Sequence, residues 1–278
     1  MGNAGRMSES RLVRVDGVPV VAEQWAGNGP PIVLLHAGVC DRRSWYRTVE
    51  RLWDHGRVLA YDRRGFGDSP ASAEPYRDPE DLLALLDHLG GDEPAWLVGT
   101  SMGGQVAVDA ALMRPDRVGG LVLLAPAVSG APEPEVLDAD TQRLSDLIDA
   151  AASTGDMEEV NRLEAWLWLD GPASPEGRVV GAARNLVLAM NAVALSNNID
   201  ETADEADGDA WHRLEEIKVP VTVAWGELDV PFLIEQCQQL VERLPHAQGL
   251  MLPGVAHLPY LEDPELVATL ICAALNRP

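Results

Sequence analysis

Short runs of apolar residues alternate along this chain with longer stretches in which apolar positions recur every three or four residues. RLVRV (11–15) and GVPVVAEQW (17–25) read as the two strands of an opening hairpin. PIVLLH (31–36) is a short, unbroken apolar run, the pattern of a strand buried on both faces. A helix-like segment around WYRTVERLW follows, then the strand-like RVLAYD (57–62). DPEDLLALLDHLG (78–90) starts acidic, carries apolar residues at i, i+3 and i+4, and ends on glycine, which are helix start and stop signals. PAWLVG (94–99) is strand-like, SMGGQVAVDAALMRP runs as a helix until Pro115 ends it, and RVGGLVLLAP (117–126) is the next strand.

After Pro126 the alternation stops. Residues 127–210 are helix-rich, acidic and Trp-containing, with no strand candidate comparable to the others. It resumes with VPVTVAWG (219–226), a helix-like FLIEQCQQLVERL (232–244), a strand QGLMLP (248–253) and an amphipathic helix PELVATLICAAL (264–275). Such a series predicts an α/β fold: a mostly parallel, eight-stranded sheet flanked by helices. The predicted division is a core of residues 1–126 and 211–278, with a helical cap, 127–210, inserted after the sixth strand.

Composition narrows the class. The 278 residues are 46% hydrophobic and 23% charged, as in a soluble globular protein. With 44 acidic against 21 basic residues the net charge is −23, which disfavours nucleic acid and anionic membrane as partners. A homodimer is compatible with this composition. Cys40, Cys237 and Cys272 lie far apart without CxxC spacing, against a disulfide framework or a metal site and in favour of a reducing cytoplasm. MGNAGRMSES has no apolar core of a signal peptide, Arg6 stands where a myristoylation signal needs Ser or Thr, and Met7 is a second candidate start. No apolar run approaches the ~20 residues needed to span a bilayer.

In a parallel sheet, ligands bind at the carboxyl ends of the strands, where loops converge and helix N-termini point outward. Catalytic candidates therefore belong just after strands. Ser101 does so: in VGTSMGG it follows PAWLVG at once and opens a helix, between Gly99 and Gly103. A serine is unreactive at its free pKa and needs a base and an orienting acid. Among six histidines, His257 lies just beyond the strand QGLMLP, whereas His246 precedes that strand; His36 ends PIVLLH and reads as a brace for the following loop. Asp229 in WGELDVPF follows VPVTVAWG, with Glu227 the alternative acid. The oxyanion formed in acyl transfer needs N–H donors. Met102 N–H at the helix start is one; Gly38 N–H, in HAGVCDRRSW, is the second, with Val39 its alternative.

Together these residues resemble the α/β-hydrolase superfamily over nearly the whole chain outside the cap. HAGV looks like its oxyanion-loop element, with Ala37 where many members have Gly; YDRRGFGDSP resembles its D-x-R-G-x-G-x-S loop, GTSMGG its nucleophile elbow, and GELDVP and GVAHLPYLEDP its acid and histidine motifs. The resemblance implies a triad of Ser101, Asp229 and His257, with no cofactor or metal. Serine at the elbow sets the chain apart from dehalogenase-like and epoxide-hydrolase-like members, which carry Asp, and from dienelactone hydrolases, which carry Cys. GTSMGG looks closest to esterases, enol-lactonases and carbon–carbon bond hydrolases. The expected activity is hydrolysis of a small carboxylic ester or lactone at its carbonyl. Carbon–carbon bond hydrolysis, perhydrolysis, a lyase or cyclisation step, and a ligand receptor with a slow triad are the alternatives. Val39, Trp45, Met102, Trp166, Trp168 and Met190 are candidates for an apolar substrate pocket; packing of the cap onto the core is the competing role for the tryptophans. Arg42 and Arg43 read as surface residues, Asp62 and Arg64 as braces of their loop, and Cys40 as a bystander thiol.

Overall fold

The alternation is realised as a single sheet in the computed structural model, which describes residues 9–15, 17–52, 54–72, 74–197 and 208–277. Arg6, Met7 and the stretch 198–207 of the helical insertion lie outside the described residues. The strands are β1 (Glu9–Val15), β2 (Val18–Trp25), β3 (Pro31–Leu35), β4 (Arg57–Tyr61), β5 (Ala95–Thr100), β6 (Val118–Leu124), β7 (Val221–Gly226) and β8 (Ala247–Leu252). Their order across the sheet is β1-β2-β4-β3-β5-β6-β7-β8. β1 and β2 pair antiparallel, as do β2 and β4, and every other pairing is parallel.

The continuous apolar runs follow from burial on both faces. In β3, β5 and β6, Val33, Leu35, Leu97, Leu121 and Leu123 enter one core cluster, whereas Ile32, Leu34, Val98, Val122 and Leu124 enter the other. Charged side chains have no place inside such a strand. The edge strand β8 is the exception, with Leu250 and Met251 each 45% exposed.

The helices are α1 (Tyr46–Leu52), α2 (Asp78–Leu85), α3 (Met102–Met113), α4 (Ala139–Ser153), α5 (Met157–Ala165), α6 (Ala182–Ser196), α7 (Pro231–Arg243), the single turn α8 (Pro259–Glu262) and α9 (Pro264–Leu275). Two differ from the periodicity. The segment before α1 opens as a 3-10 turn over Arg42–Trp45, because the buried Asp41 side chain accepts the Arg43 N–H and starts the turn early. The last turn of the 78–90 segment, Leu86–Gly90, widens to π geometry.

α4, α5 and α6 are inserted between β6 and β7, and no strand occurs among the described residues there. α4 and α5 start on Asp138 and Asp156, whose side chains accept N–H groups of the first turn. Leu144, Val160, Leu163 and Leu167 then form a small core with Val230 and Leu233 at the start of α7. The insertion is thereby seated on the sheet edge that carries the loops after β5, β7 and β8.

Arg42 departs from the surface position expected of it. It is 7% exposed, and its guanidinium meets Glu23 Oε1 at 3.0 Å, Asp68 Oδ2 at 2.7 Å and the Asp62 carboxylate. Asp62 also accepts the N–H groups of Arg42 (2.8 Å) and Asp68 (2.9 Å). The loop after β3 and the loop after β4 close on this ion network, which a long cationic side chain satisfies only from inside. Arg64 pairs with buried Asp81, so the bracing expected of Asp62 and Arg64 uses separate partners. Arg43 stays at the surface, its guanidinium on Asp41.

Candidate active site

The turn at Ser101 is built from close backbone approaches. A Cβ on Gly99 would stand 2.3 Å from Gly103 O, and a Cβ on Gly103 would stand 2.4 Å from Leu35 O, so only hydrogen fits at either position. The compression drives Ser101 to φ 51°, ψ −122°, a region L-residues avoid at a cost of about 1–3 kcal/mol. Four backbone hydrogen bonds hold it there: Ser101 N–H donates to Leu124 O (3.1 Å), and Ser101 O accepts from Gly104 (2.8 Å), Gln105 (3.2 Å) and Ala127 (3.0 Å). Ser101 is the N-cap of α3, at the positive end of that helix.

β7 and β8 deliver the other two groups to the same edge. Asp229 and His257 are 4% and 2% exposed, and His257 Nδ1 lies 3.1 and 3.0 Å from the two Asp229 carboxylate oxygens. Asp229 Oδ1 also accepts the Val230 N–H at 2.7 Å, which fixes the carboxylate plane. Glu227, the alternative acid, points elsewhere: it is exposed and accepts the Gly254 N–H at 2.9 Å. His246 sits at the opposite edge, where its carbonyl accepts the Val221 N–H.

Ser101 and His257 line one cavity of about 480 Å³ with Gly38, Val39 and Met102. Among the described residues the N–H groups of Gly38, Val39 and Met102 have no protein acceptor. His36 braces the loop that presents Gly38, its Nδ1–H donating to Ala37 O at 2.8 Å and its Nε2 accepting the Arg63 N–H at 3.1 Å. Burial, helped by the Arg63 and Arg42 charges, holds its pKa well below the ordinary value, so it remains neutral with that tautomer. Burial likewise pushes the Cys40 thiol up to about 12, far from a reactive thiolate.

The insertion roofs the cavity. Met157, Glu164 and Trp168 stand at i, i+7 and i+11 along one stripe of α5 and the π turn Trp166–Asp170 that extends it. Asn191, Ala194 and Leu195 form the facing stripe of α6. The Trp168 ring packs on His257 at 4.8 Å between centroids. Arg178 ties the roof to the histidine loop: it donates to Asp170 O and Gly254 O and pairs with Glu262, whose other oxygen accepts the Ala256 N–H.

Of the predicted pocket residues, Val39, Met102 and Trp168 line the cavity; Trp45, Trp166 and Met190 do not. Trp45 is fully buried and stacks on Tyr260 at 4.1 Å, filling the core beneath the oxyanion loop. Trp166 turns its ring to Arg143 and donates to Ser174 O, while Met190, 1% exposed, belongs to the core. Glu164, Asn191, Phe66 and Met157 line the cavity without having been anticipated. Asn191 carried a legible signal, a lone polar residue in the apolar run LVLAMNAVAL; the others did not.

Comparison with known proteins agrees with this architecture. A sequence model of the alpha/beta hydrolase family matches residues 32–270. A pimeloyl-[acyl-carrier protein] methyl ester esterase of Vibrio campbellii is 31% identical over 253 residues, covering 86% of this chain and 92% of that protein. A Bacillus subtilis protein provisionally named a 2-succinyl-6-hydroxy-2,4-cyclohexadiene-1-carboxylate synthase is 28% identical, covering 94% and 96%. Among solved structures, an esterase from a Rhodococcus species superposes with a TM-score of 0.77 at 25% identity, covering 96% of this chain and 98% of that one.

Proposed function

The chain belongs to the alpha/beta hydrolase family, and from that premise we propose that it hydrolyses a small carboxylic ester or lactone through an acyl-enzyme at Ser101. The observation that carries this reading is the pair of Asp229 oxygens on His257 Nδ1, with His257 and the strained Ser101 lining one cavity. With Nδ1–H committed to Asp229, His257 Nε2 is the free base. Ser101 Oγ attacks the carbonyl carbon as Nε2 takes its proton, and Met102 and Gly38 N–H groups receive the charge on the oxygen. The tetrahedral adduct expels the alkoxide, which leaves as alcohol with the proton from His257. Water, deprotonated by the same nitrogen, then attacks the acyl-enzyme; collapse of the second adduct frees the acid and returns the proton to Ser101. Residues 127–210 act in this reading as a lid that shapes the acyl site.

Esters are favoured over the product type named in the Bacillus relative. That name carries a carboxylate, and no Arg or Lys is among the lining residues described here.

Incubation with a small fluorophosphonate tests the reading. Intact mass should show one adduct on the wild type and none on Ser101→Ala or His257→Ala, alongside turnover of short-chain esters. An unlabelled, correctly folded wild type would overturn it. Trp168→Ala is expected to lower kcat/KM for such esters by about tenfold or more, because the ring that confines His257 is gone. Steady-state kinetics beside a thermal melt would check this; an unchanged kcat/KM would show that Trp168 only fills space.

A further inference from the structure

The roof of the cavity holds a carboxylate that the triad does not use. Apart from His257, Glu164 is the single ionisable residue among the lining residues described, and the other roof residues are Met157, Trp168, Asn191, Ala194 and Leu195. A hydrogen-bond relay sets its orientation. Asn161 Nδ2 donates to the Leu188 carbonyl at 2.9 Å, which leaves Asn161 Oδ1 as an acceptor. Asn191 Nδ2 meets that oxygen at 3.1 Å and Glu164 Oε2 at 2.6 Å, so both of its N–H bonds point at acceptors. Glu164 Oε1 and Asn191 Oδ1 have no donor among the described residues.

The cavity thus has two lining side chains with an acceptor oxygen that no donor among the described residues meets, one of them a carboxyl, in an otherwise mostly apolar roof. The buried Arg63, whose guanidinium lies over the lining Phe66 ring at 4.4 Å, pairs through Nη1 with Asp78 at 2.8 Å and is not itself a lining residue. Among the described lining residues no Arg or Lys balances Glu164. Burial pushes the Glu164 carboxyl upward and the Asn191 N–H offsets part of that; a cation beside it would favour the ionised form. The overall charge of −23 acts in the same direction, drawing cations toward the molecule and repelling anions.

We propose that Glu164 and Asn191 form a recognition site for an ammonium group on the substrate, so that the enzyme selects esters or lactones that carry an amine and rejects those that carry a carboxylate. This rests on the ester-hydrolase reading of Ser101. The three ammonium N–H bonds suit the two acceptors, and the alkyl stem of such a substrate suits the apolar walls of Met157, Leu195 and Trp168. A carboxylate in the same position would face Glu164 with no counter-charge.

The test uses three series of methyl esters of matched chain length: ω-amino acids, plain alkanoic acids and half-esters of dicarboxylic acids. Acid release is followed at constant pH. The wild type should prefer amino over carboxy esters by about tenfold to a hundredfold in kcat/KM at the best chain length, the strength of a charge-assisted hydrogen bond. The preference should lie in KM more than in kcat, and Glu164→Gln should bring the ratio close to one while retaining the wild-type near-ultraviolet circular dichroism. An equal rate for the two charged series, or a preference that survives in Glu164→Gln, overturns the proposal even though the plain esters are cleaved. If no ester of any of the three series is cleaved, it is the ester reading that fails. The roof site is then decided by calorimetric titration of Ser101→Ala with the amino and carboxy esters. Tighter amino binding that disappears in Ser101→Ala/Glu164→Gln supports the site, and equal binding overturns it.

Discussion

Asp229→Asn is expected to lower kcat for ester hydrolysis by about 10⁴-fold while the protein stays folded. Both carboxylate oxygens lie within 3.1 Å of His257 Nδ1, and one also accepts the Val230 N–H. An amide keeps the shape but presents an NH₂ where His257 needs an acceptor. The imidazole then carries its proton on Nε2, the atom that must take the proton of Ser101, and no longer has an anion beside it when it becomes charged. KM should change little, because Asp229 is not among the residues lining the cavity. Glu227→Gln is the control, since among the described residues the Glu227 side chain accepts only the Gly254 N–H, and it should leave kcat within about twofold. A loss below tenfold in Asp229→Asn, or a larger loss in Glu227→Gln, would mean that the acid has been misassigned.

The second large effect is on stability. Arg42→Met should destabilise the protein by about 3–5 kcal/mol near neutral pH, the cost of leaving a buried charge without its partner. Burial pushes the Asp62 carboxyl up to about 6, against the pull of Arg42 and of the backbone N–H groups of Asp68 and Arg42. At pH 7 and above it is ionised, and Arg42 is its counter-ion. Without Arg42 the folded-state pKa rises further above its unfolded value, so the native state binds a proton that the unfolded chain does not. Stability of the variant therefore falls as pH climbs from about 4 through that raised pKa. The deficit against wild type should be small near pH 5 and full near pH 8, read from denaturant midpoints at both. A deficit independent of pH would show that packing of the Arg42 stem, not its charge, carries the effect. The same variant should lose ester activity, because this network closes the loop that presents Gly38.

Local pattern and motif chemistry carry far in this protein. The order of strands and helices is legible because the strands β3, β5, β6 and β7 are buried on both faces and are built almost entirely of apolar residues, while the surface helices keep a polar side. Ser101, Asp229 and His257 are legible for a related reason. Each stands in the first residues after a strand, so strand boundaries read from the apolar runs place all three at one edge of the sheet. Gly99 belongs to the same class of information, since its close approach to Gly103 lies within one turn, whereas Gly103 is required by its approach to Leu35 O at the end of β3.

What composition and periodicity could not convey depends on distance in the chain. Arg42 looks like any surface arginine until the loops after β3 and β4 meet and enclose it with Glu23, Asp62 and Asp68. Trp45, Trp166 and Trp168 are equivalent as apolar side chains; only the packing of the roof on the sheet sends Trp168 to His257 and the other two elsewhere. Glu164 is one more acidic residue among 44 until α5 and α6 bring it beside Asn191, above Ser101. The sequence by itself therefore determined the sheet, the insertion and the candidate triad, because these follow from burial period and strand ends. Tertiary structure alone decided which charges are buried and which side chains face the substrate, because both arise from contacts between elements separated by tens of residues.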